Sequence, residues 1–188
     1  MSPHAARARS ARPLARGVRV VLTRPRVSDA REFLAAVAAS RALHEPWVEP
    51  PSTTVAYRRF VTRARAQDHA TFFARARADD RLVGVVNVAN IVEGSFRSAH
   101  LGYYGFTGAA GSGRMTEALH LVVDHAFTRM GLHRLEANVQ PGNARSRALV
   151  ARLGFRLEGF SPRYLEIGGA WRDHERFAIT AEEWPPPH

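Results

Sequence analysis

The segment Leu101-Gly-Tyr-Tyr-Gly-Phe-Thr-Gly-Ala-Ala-Gly111-Ser-Gly113-Arg-Met-Thr-Glu-Ala-Leu119 constrains the fold of this chain more than any other. Its first part is aromatic and alternating, the pattern of a strand. A turn of small residues follows. An amphipathic helical pattern then begins at once, with Met115, Leu119, Val122, Val123 and Ala126 at helical spacing. A glycine turn feeding a helix leaves several amides unpaired and aimed at one spot, where the helix dipole adds partial positive charge. Such a spot holds phosphate oxygens without any lysine. This chain has no lysine, since all 27 of its basic residues are arginine. The same turn also serves as a plain tight connection, so its neighbours in the chain must decide between the two readings.

Those neighbours follow a definite order. Gly17 to Thr23 reads as a first strand, and a helix capped by Ser28 runs to Ser40. Residues 41–51 carry Pro46, Pro50 and Pro51 and form a loop before a second helix that starts at Ser52. Strands follow from His69 to Ala76, Leu82 to Ile91 and Ala99 to Phe106, with Asp79-Asp80 as a hairpin turn. The continuous β-branched run from Val83 marks a central strand. After the long helix, Gly131 supplies a left-handed stop, and Leu132 to Val139 forms the next strand. Pro141-Gly-Asn143 opens a short helix that ends at Arg152-Leu-Gly154-Phe155. Two closing strands, to Glu166 and from Trp171 to Ile179, are joined at Gly168-Gly169. Residues 1–16 are basic, acid-free and without an apolar signal core, and read as a disordered tail. Residues 181–188 end in Pro-Pro-Pro-His and read as a loose tail. The remaining segment, 17–180, is long enough for one core.

Several pieces of this order resemble the GNAT superfamily of acyl-CoA-dependent N-acetyltransferases. The family's phosphate-cradling pattern, Gln/Arg-x-x-Gly-x-Gly/Ala, stands here as Gly108-Ala-Ala-Gly111-Ser-Gly113. Asn143-x-x-Ser146 and Leu153-Gly154-Phe155 lie where that family puts them. Arg163-Tyr-Leu-Glu-Ile-Gly-Gly-Ala-Trp171-Arg-Asp173-His174 is similar to the RimJ/RimL branch, which acetylates the N-terminal amine of ribosomal proteins. The resemblance implies a single α/β (α+β) domain. Its sheet is mixed, mostly antiparallel and of about seven strands, with helices on both faces.

It also implies a site. Acetyl-CoA is the co-substrate, and no metal is required. The strands before the glycine turn and after the long helix splay apart, and the pantetheine arm binds backbone groups around Tyr104, Phe106 and Thr107. The pyrophosphate lies on the amides of Ala110, Gly111, Ser112, Gly113, Arg114 and Met115, with the Arg114 guanidinium as a charge-assisted contact. Asn143 is a helix cap and a cofactor neighbour. Ser146 lies near the thioester sulfur. Many members place a tyrosine acid where this chain has Val150, so that role is vacant here. Glu45, Trp47 and Glu49, two carboxylates flanking an indole, suit an ammonium on the acceptor side.

The chemistry is amine attack on a thioester. With no cysteine in the chain, an acetyl-cysteine intermediate is excluded and transfer is direct. A thiol near pKa ~8.5 leaves readily, and an α-amine near ~7.7–8.0 is already partly neutral at pH 7. Glu136, on the strand face opposite Leu135, Ala137 and Val139, is a candidate base and equally a salt-bridge partner for an arginine. His133 and Asp173-His174 match no zinc spacing.

The net charge of +10 invites a nucleic-acid reading. A split of 27 arginines to no lysine reads instead as a codon bias. The acceptor reading is the N-terminal α-amine of a protein in the cytoplasm, without a membrane partner. Two alternatives stay open: acetylation of a small-molecule amine such as an aminoglycoside or amino acid, and a non-catalytic basic protein that binds RNA or the ribosome. Monomer and homodimer are equally open.

Overall fold

In the computed structural model, residues 13–109 and 111–184 are described. They form one eight-stranded sheet in the order β1-β2-β3-β4-β5-β6-β8-β7. The strands are β1 (Ala15–Arg16), β2 (Val20–Thr23), β3 (His69–Ala76), β4 (Leu82–Val92), β5 (Ser98–Gly105), β6 (Arg134–Val139), β7 (Arg156–Ile167) and β8 (Ala170–Thr180). The helices are α1 (Ala30–Ala39), α2 (Arg41–His44), α3 (Thr54–Arg63), α4 (Arg114–Thr128) and α5 (Ala144–Arg152). Every strand pair is antiparallel except β5–β6.

Two boundaries differ from the sequence expectation. The eighth strand is β1, which pairs Ala15 with Leu22 and Arg16 with Val21. Residues 15–16 are therefore part of the sheet, while residues 1–12 of the expected tail lie outside the described residues. At the other end Ala181–Glu183 form a 3-10 turn, and the Trp184 ring packs 4.7 Å from that of His120. Residues 185–188 lie outside the described residues. Ser28 is not a cap. It sits inside a 3-10 turn, Val27–Asp29, and α1 begins at Ala30 without a side-chain cap. The Asp29 carboxylate does the local work instead, accepting from Arg26 N at 2.9 Å.

The centre of the sheet, β3 and the first half of β4, is buried on both faces, as a continuous apolar run requires. Phe72 and Val86 join the core beneath α4, together with Leu119, Val122 and Val123. Their chain neighbours Phe73 and Val85 point the other way, into a core with Phe33 of α1 and Tyr57 of α3. Each such fully buried side chain contributes on the order of 1.5–3 kcal/mol. The α4 start is pressed onto the strands: a Cβ on Gly84 would sit 2.4 Å from Met115 Sδ and 2.6 Å from Tyr104 O. Only glycine permits that approach.

One break in the sheet positions everything that follows. β5 and β6 pair in parallel only from Ser98–Arg134 to His100–Glu136. Beyond that, β5 stays with β4 up to Gly105 and β6 stays with β8 up to Val139, so the two arms diverge.

Candidate active site

At the far end of the β5 arm lies the glycine turn. Gly108, Gly111 and Gly113 all take left-handed backbone angles, with φ of 89°, 74° and 72°. Gly113 is the cap residue of α4 and provides no side-chain cap; Arg114 N makes only a long contact, 3.5 Å, with Ser112 Oγ. A Cβ on Gly108 or Gly111 would meet nothing within 4 Å, which leaves the turn open on that side. This is a fitting cradle for phosphate oxygens. Ser112 faces inward and donates to Ala109 O at 2.6 Å. The Met115 side chain is anchored in the sheet, so only its backbone belongs to the cradle. Arg114 is half-buried at the first position of α4. Ala110 lies outside the described residues.

A cation that the sequence did not reveal stands beside this turn. The Arg19 guanidinium donates to Ser112 O at 2.9 Å and pairs with Glu117 at 2.9 Å. It lies 3.3 Å from where a Gly113 Cβ would be. Glu117 also accepts from the backbone N–H of Arg19 and Val20, at 2.7 and 3.1 Å. Burial pushes the Glu117 carboxyl upward, but these bonds to Arg19 and Val20 outweigh it and hold the group below its ordinary value.

The diverging arms present fewer backbone groups than expected. Phe106 N donates to Val83 O at 2.9 Å. In an antiparallel ladder this turns the backbones of Phe106 and Tyr104 toward β4 and those of Gly105 and Tyr103 toward the gap. Tyr104 and Phe106 are thus corrected as backbone ligands, and their side chains are core, 7% and 1% exposed. Thr107 is also committed: its N–H donates to Ser40 Oγ at 2.8 Å and its hydroxyl to Ala39 O at 3.1 Å. Gly105 O faces the gap and accepts from His44 Nε2 at 2.8 Å. His44 is 3% exposed, its ring edge-on to Tyr104 and Phe106.

α5 closes the gap from the other arm. Asn143 caps it, its Oδ1 accepting from Ser146 N at 3.1 Å. Ser146 Oγ lies 2.6 Å from the phenol oxygen of Tyr103, which reaches over from β5. Burial pushes the Tyr103 phenol up to about 12, while its bond to Ser146 acts in the opposite sense. Val150 is fully buried.

The loop after α2, residues 45–51, folds over this end. The Trp47 indole lies on Gly142, 3.2 Å from a Cβ there, and Gln140 Nε2 donates to Trp47 O at 3.4 Å. The indole is thus half-buried against the turn before α5, not exposed between the two carboxylates. Glu45 and Glu49 are exposed. Glu49 Oε1 would be 3.8 Å from a Cβ on Gly168, at the tip of the β7–β8 hairpin.

Glu136 marks the last β5–β6 pair. One oxygen accepts from Arg134 Nε at 2.9 Å, and the other is 3.7 Å from His100 Nε2. Arg134 is shared with Glu158. His100 is a second titratable group at the divergence point that the sequence did not single out. His174, 2% exposed, is held by Arg172 O, and Asp173 accepts from Arg163 N, so both are structural. Among the described residues no group of three or more metal-ligating side chains forms, and no helix is long and apolar enough to cross a membrane.

Comparison with known proteins gives a consistent set of likenesses. The family model of the acetyltransferase (GNAT) domain matches residues 19–156. [Ribosomal protein uS5]-alanine N-acetyltransferase of Escherichia coli (strain K12) is 37% identical over 158 residues, covering 79% of this chain and 81% of that protein. Probable N-acetyltransferase YjcK of Bacillus subtilis is 34% identical over 170 residues, covering 86% and 94%. Among solved structures, Mycobacterium smegmatis RimJ in complex with CoA-disulfide superposes with a TM-score of 0.82 at 37% identity, covering 89% of this chain and 84% of that one. The ribosomal-protein-S5-alanine acetyltransferase of Vibrio fischeri gives 0.79 at 26% identity, covering 92% and 98%.

Proposed function

The chain belongs to the GNAT acetyltransferase family, and we propose that it moves the acetyl group of acetyl-CoA onto the N-terminal α-amine of a ribosomal protein in the cytoplasm. It is an acyltransferase with acetyl-CoA as co-substrate, which supplies the activated thioester carbonyl and a thiolate leaving group. One observation carries the assignment of the site. An uncapped helix start with three left-handed glycines lies at the end of one strand of a diverging parallel pair.

In this reading the amides of Gly111 and of Gly113 to Met115 hold the pyrophosphate, Ser112 N being bonded to Ala109 O at 3.3 Å, and Arg114 and Arg19 add positive charge. The gap-facing backbone of Tyr103 and Gly105 takes the pantetheine arm in place of Tyr104, Phe106 and Thr107. Asn143 fixes the first turn of α5, and Ser146 meets the sulfur. Glu136 and His100 lie where a proton from the amine can be received, directly or through water. Trp47, with Glu45 and Glu49 beside it, borders the acceptor entrance. The catalytic unit spans residues 17–180, extended by β1. The names of the relatives support a ribosomal N-terminus over an aminoglycoside or free amino acid.

The test is thiol release from acetyl-CoA against three acceptor sets: peptides with one free α-amine, blocked peptides with one lysine, and aminoglycosides. Turnover confined to the first set is expected. Efficient acetylation of lysine peptides or aminoglycosides at neutral pH overturns the acceptor assignment.

A further inference from the structure

Tyr103 lies three residues past the last β5–β6 pair, on the arm that leaves β6. Its phenol crosses to the first turn of α5, 2.6 Å from Ser146 Oγ and 3.4 Å from Ser146 O. The carbonyl contact is at the long end of the hydrogen-bond range, and in the 2.6 Å contact either hydroxyl can donate. The phenol is the stronger acid of the two hydroxyls and is the natural donor in the shorter contact. Ser146 Oγ then accepts from Tyr103 and keeps its own hydrogen for a third group. The usual competitor for that hydrogen is a helix carbonyl four residues back. Here that residue is Gly142, which precedes the cap Asn143 and lies outside the helix.

We propose that Tyr103 is a positioning residue that fixes the Ser146 hydroxyl as hydrogen-bond donor to the departing sulfur, an inference resting on the assignment of Ser146 above. In the transfer, the amine nitrogen bonds to the acyl carbon, the C–S bond breaks, and its electron pair leaves with sulfur. The amine's proton goes to the base or to water. Ser146 O–H donates to the thiolate as charge develops there, and Tyr103 O–H, donating into Ser146 Oγ, polarises it further. No proton leaves the tyrosine. Its phenol stands at about 12 and a thiol near ~8.5, so full transfer to the thiolate runs uphill by on the order of a thousandfold. The pair solvates the leaving group, and water protonates it later.

The test compares Tyr103→Phe, Ser146→Ala and the double variant, each first checked for a cooperative thermal transition. Each single change is expected to lower kcat roughly ten- to a hundredfold with the KM for acetyl-CoA unchanged. The double variant falls no further than Ser146→Ala alone. A second readout needs no turnover: the thiol of bound CoA is titrated by its thiolate ultraviolet absorbance. The wild-type thiol is expected below the free value of ~8.5, and both single variants raise it alike. If Tyr103→Phe behaves as wild type in both measurements while Ser146→Ala is impaired, the role of Tyr103 is overturned and that of Ser146 stands. If both variants behave as wild type, both assignments fall. Additive losses in the double variant also overturn the inference, because Tyr103 then does not act through Ser146.

Discussion

The two ends of the site are made of different material. The cradle around Gly108–Met115 is backbone: three left-handed glycines and an uncapped helix start, steadied from behind by Arg19 and Glu117. The end proposed for the acceptor is side chains. Tyr103 reaches Ser146, His100 lies beside Glu136 where β5 and β6 part, and Trp47 lies on Gly142 before α5, so four separate stretches of chain contribute. A backbone cradle recognises something every reaction of this kind shares, a phosphate, and needs little beyond glycine spacing. A side-chain site recognises the acceptor, and it can be rebuilt one residue at a time without disturbing the sheet. Damage to the first end should therefore be all-or-none in cofactor binding, and damage to the second graded in rate.

The largest effect tests the cradle. Gly113→Val forces a β-branched residue into φ of 72° and sets its Cβ 3.3 Å from the Arg19 guanidinium. The strain is of order 1–3 kcal/mol, and the side chain stands at the first amides of α4. Calorimetry should find CoA affinity reduced by more than about a hundredfold, equivalent to roughly 2.7 kcal/mol, with the thermal unfolding transition retained. Wild-type affinity would remove the cradle from the comparison altogether.

The next effect concerns the support behind it. Glu117→Gln keeps one acceptor oxygen but loses the charge that binds Arg19 and the amides of Arg19 and Val20. Denaturant unfolding should find the variant less stable by about 1–2 kcal/mol at neutral pH. The folded-state value of Glu117 is depressed, so its contribution is present above the ordinary 4.5 and disappears as pH falls through the lower folded value. The gap between wild type and variant should therefore close on acidification below about pH 4.5. A gap that persists unchanged in acid means the carboxylate charge is not what holds β2 to α4.

The same contrast decides what was readable in the sequence. Glycine spacing, helical periodicity and alternation are local, so the left-handed glycine turn before α4, the α4 core face and the left-handed stop at Gly131, φ 67°, were all legible. Glu136 was correctly set on the strand face opposite Leu135 and Ala137. Partners far apart in the chain leave no local signal. Tyr103 and Ser146 are 43 residues apart, and Arg19 and Glu117 are 98 apart. Tyr104 and Phe106 were misassigned because which alternate residues face the gap depends on the β4–β5 register, which periodicity cannot supply. β1 is two residues long, too short for any period. Ser28 does not cap because a 3-10 turn precedes α1, and the Asp29 carboxylate that closes that turn accepts from Arg26 N upstream rather than from an α1 amide.

The smallest effect tests whether the acceptor end contains a strong base at all. Glu136 is tied through one oxygen to Arg134 at 2.9 Å, and its other oxygen is 3.7 Å from His100, a contact rather than a hydrogen bond. An α-amine near ~7.7–8.0 is about a tenth neutral at pH 7, whereas a lysine near ~10.4 is almost wholly charged. An N-terminal acceptor therefore asks little of the enzyme. For a peptide with one free α-amine, kcat/KM should rise to roughly pH 8 and then level off, following the substrate's own ionisation. Glu136→Gln keeps an oxygen for Arg134 and should leave that profile in place, with rates within about tenfold of wild type. The measurement is the pH dependence of kcat/KM for both proteins on the same peptide. A loss beyond about a hundredfold, or 2.7 kcal/mol of barrier, accompanied by disappearance of an inflection below the substrate's range, makes Glu136 the base. The acceptor end would then hold a dedicated catalytic group, and its graded character would be confined to Ser146, Tyr103 and the Trp47 loop.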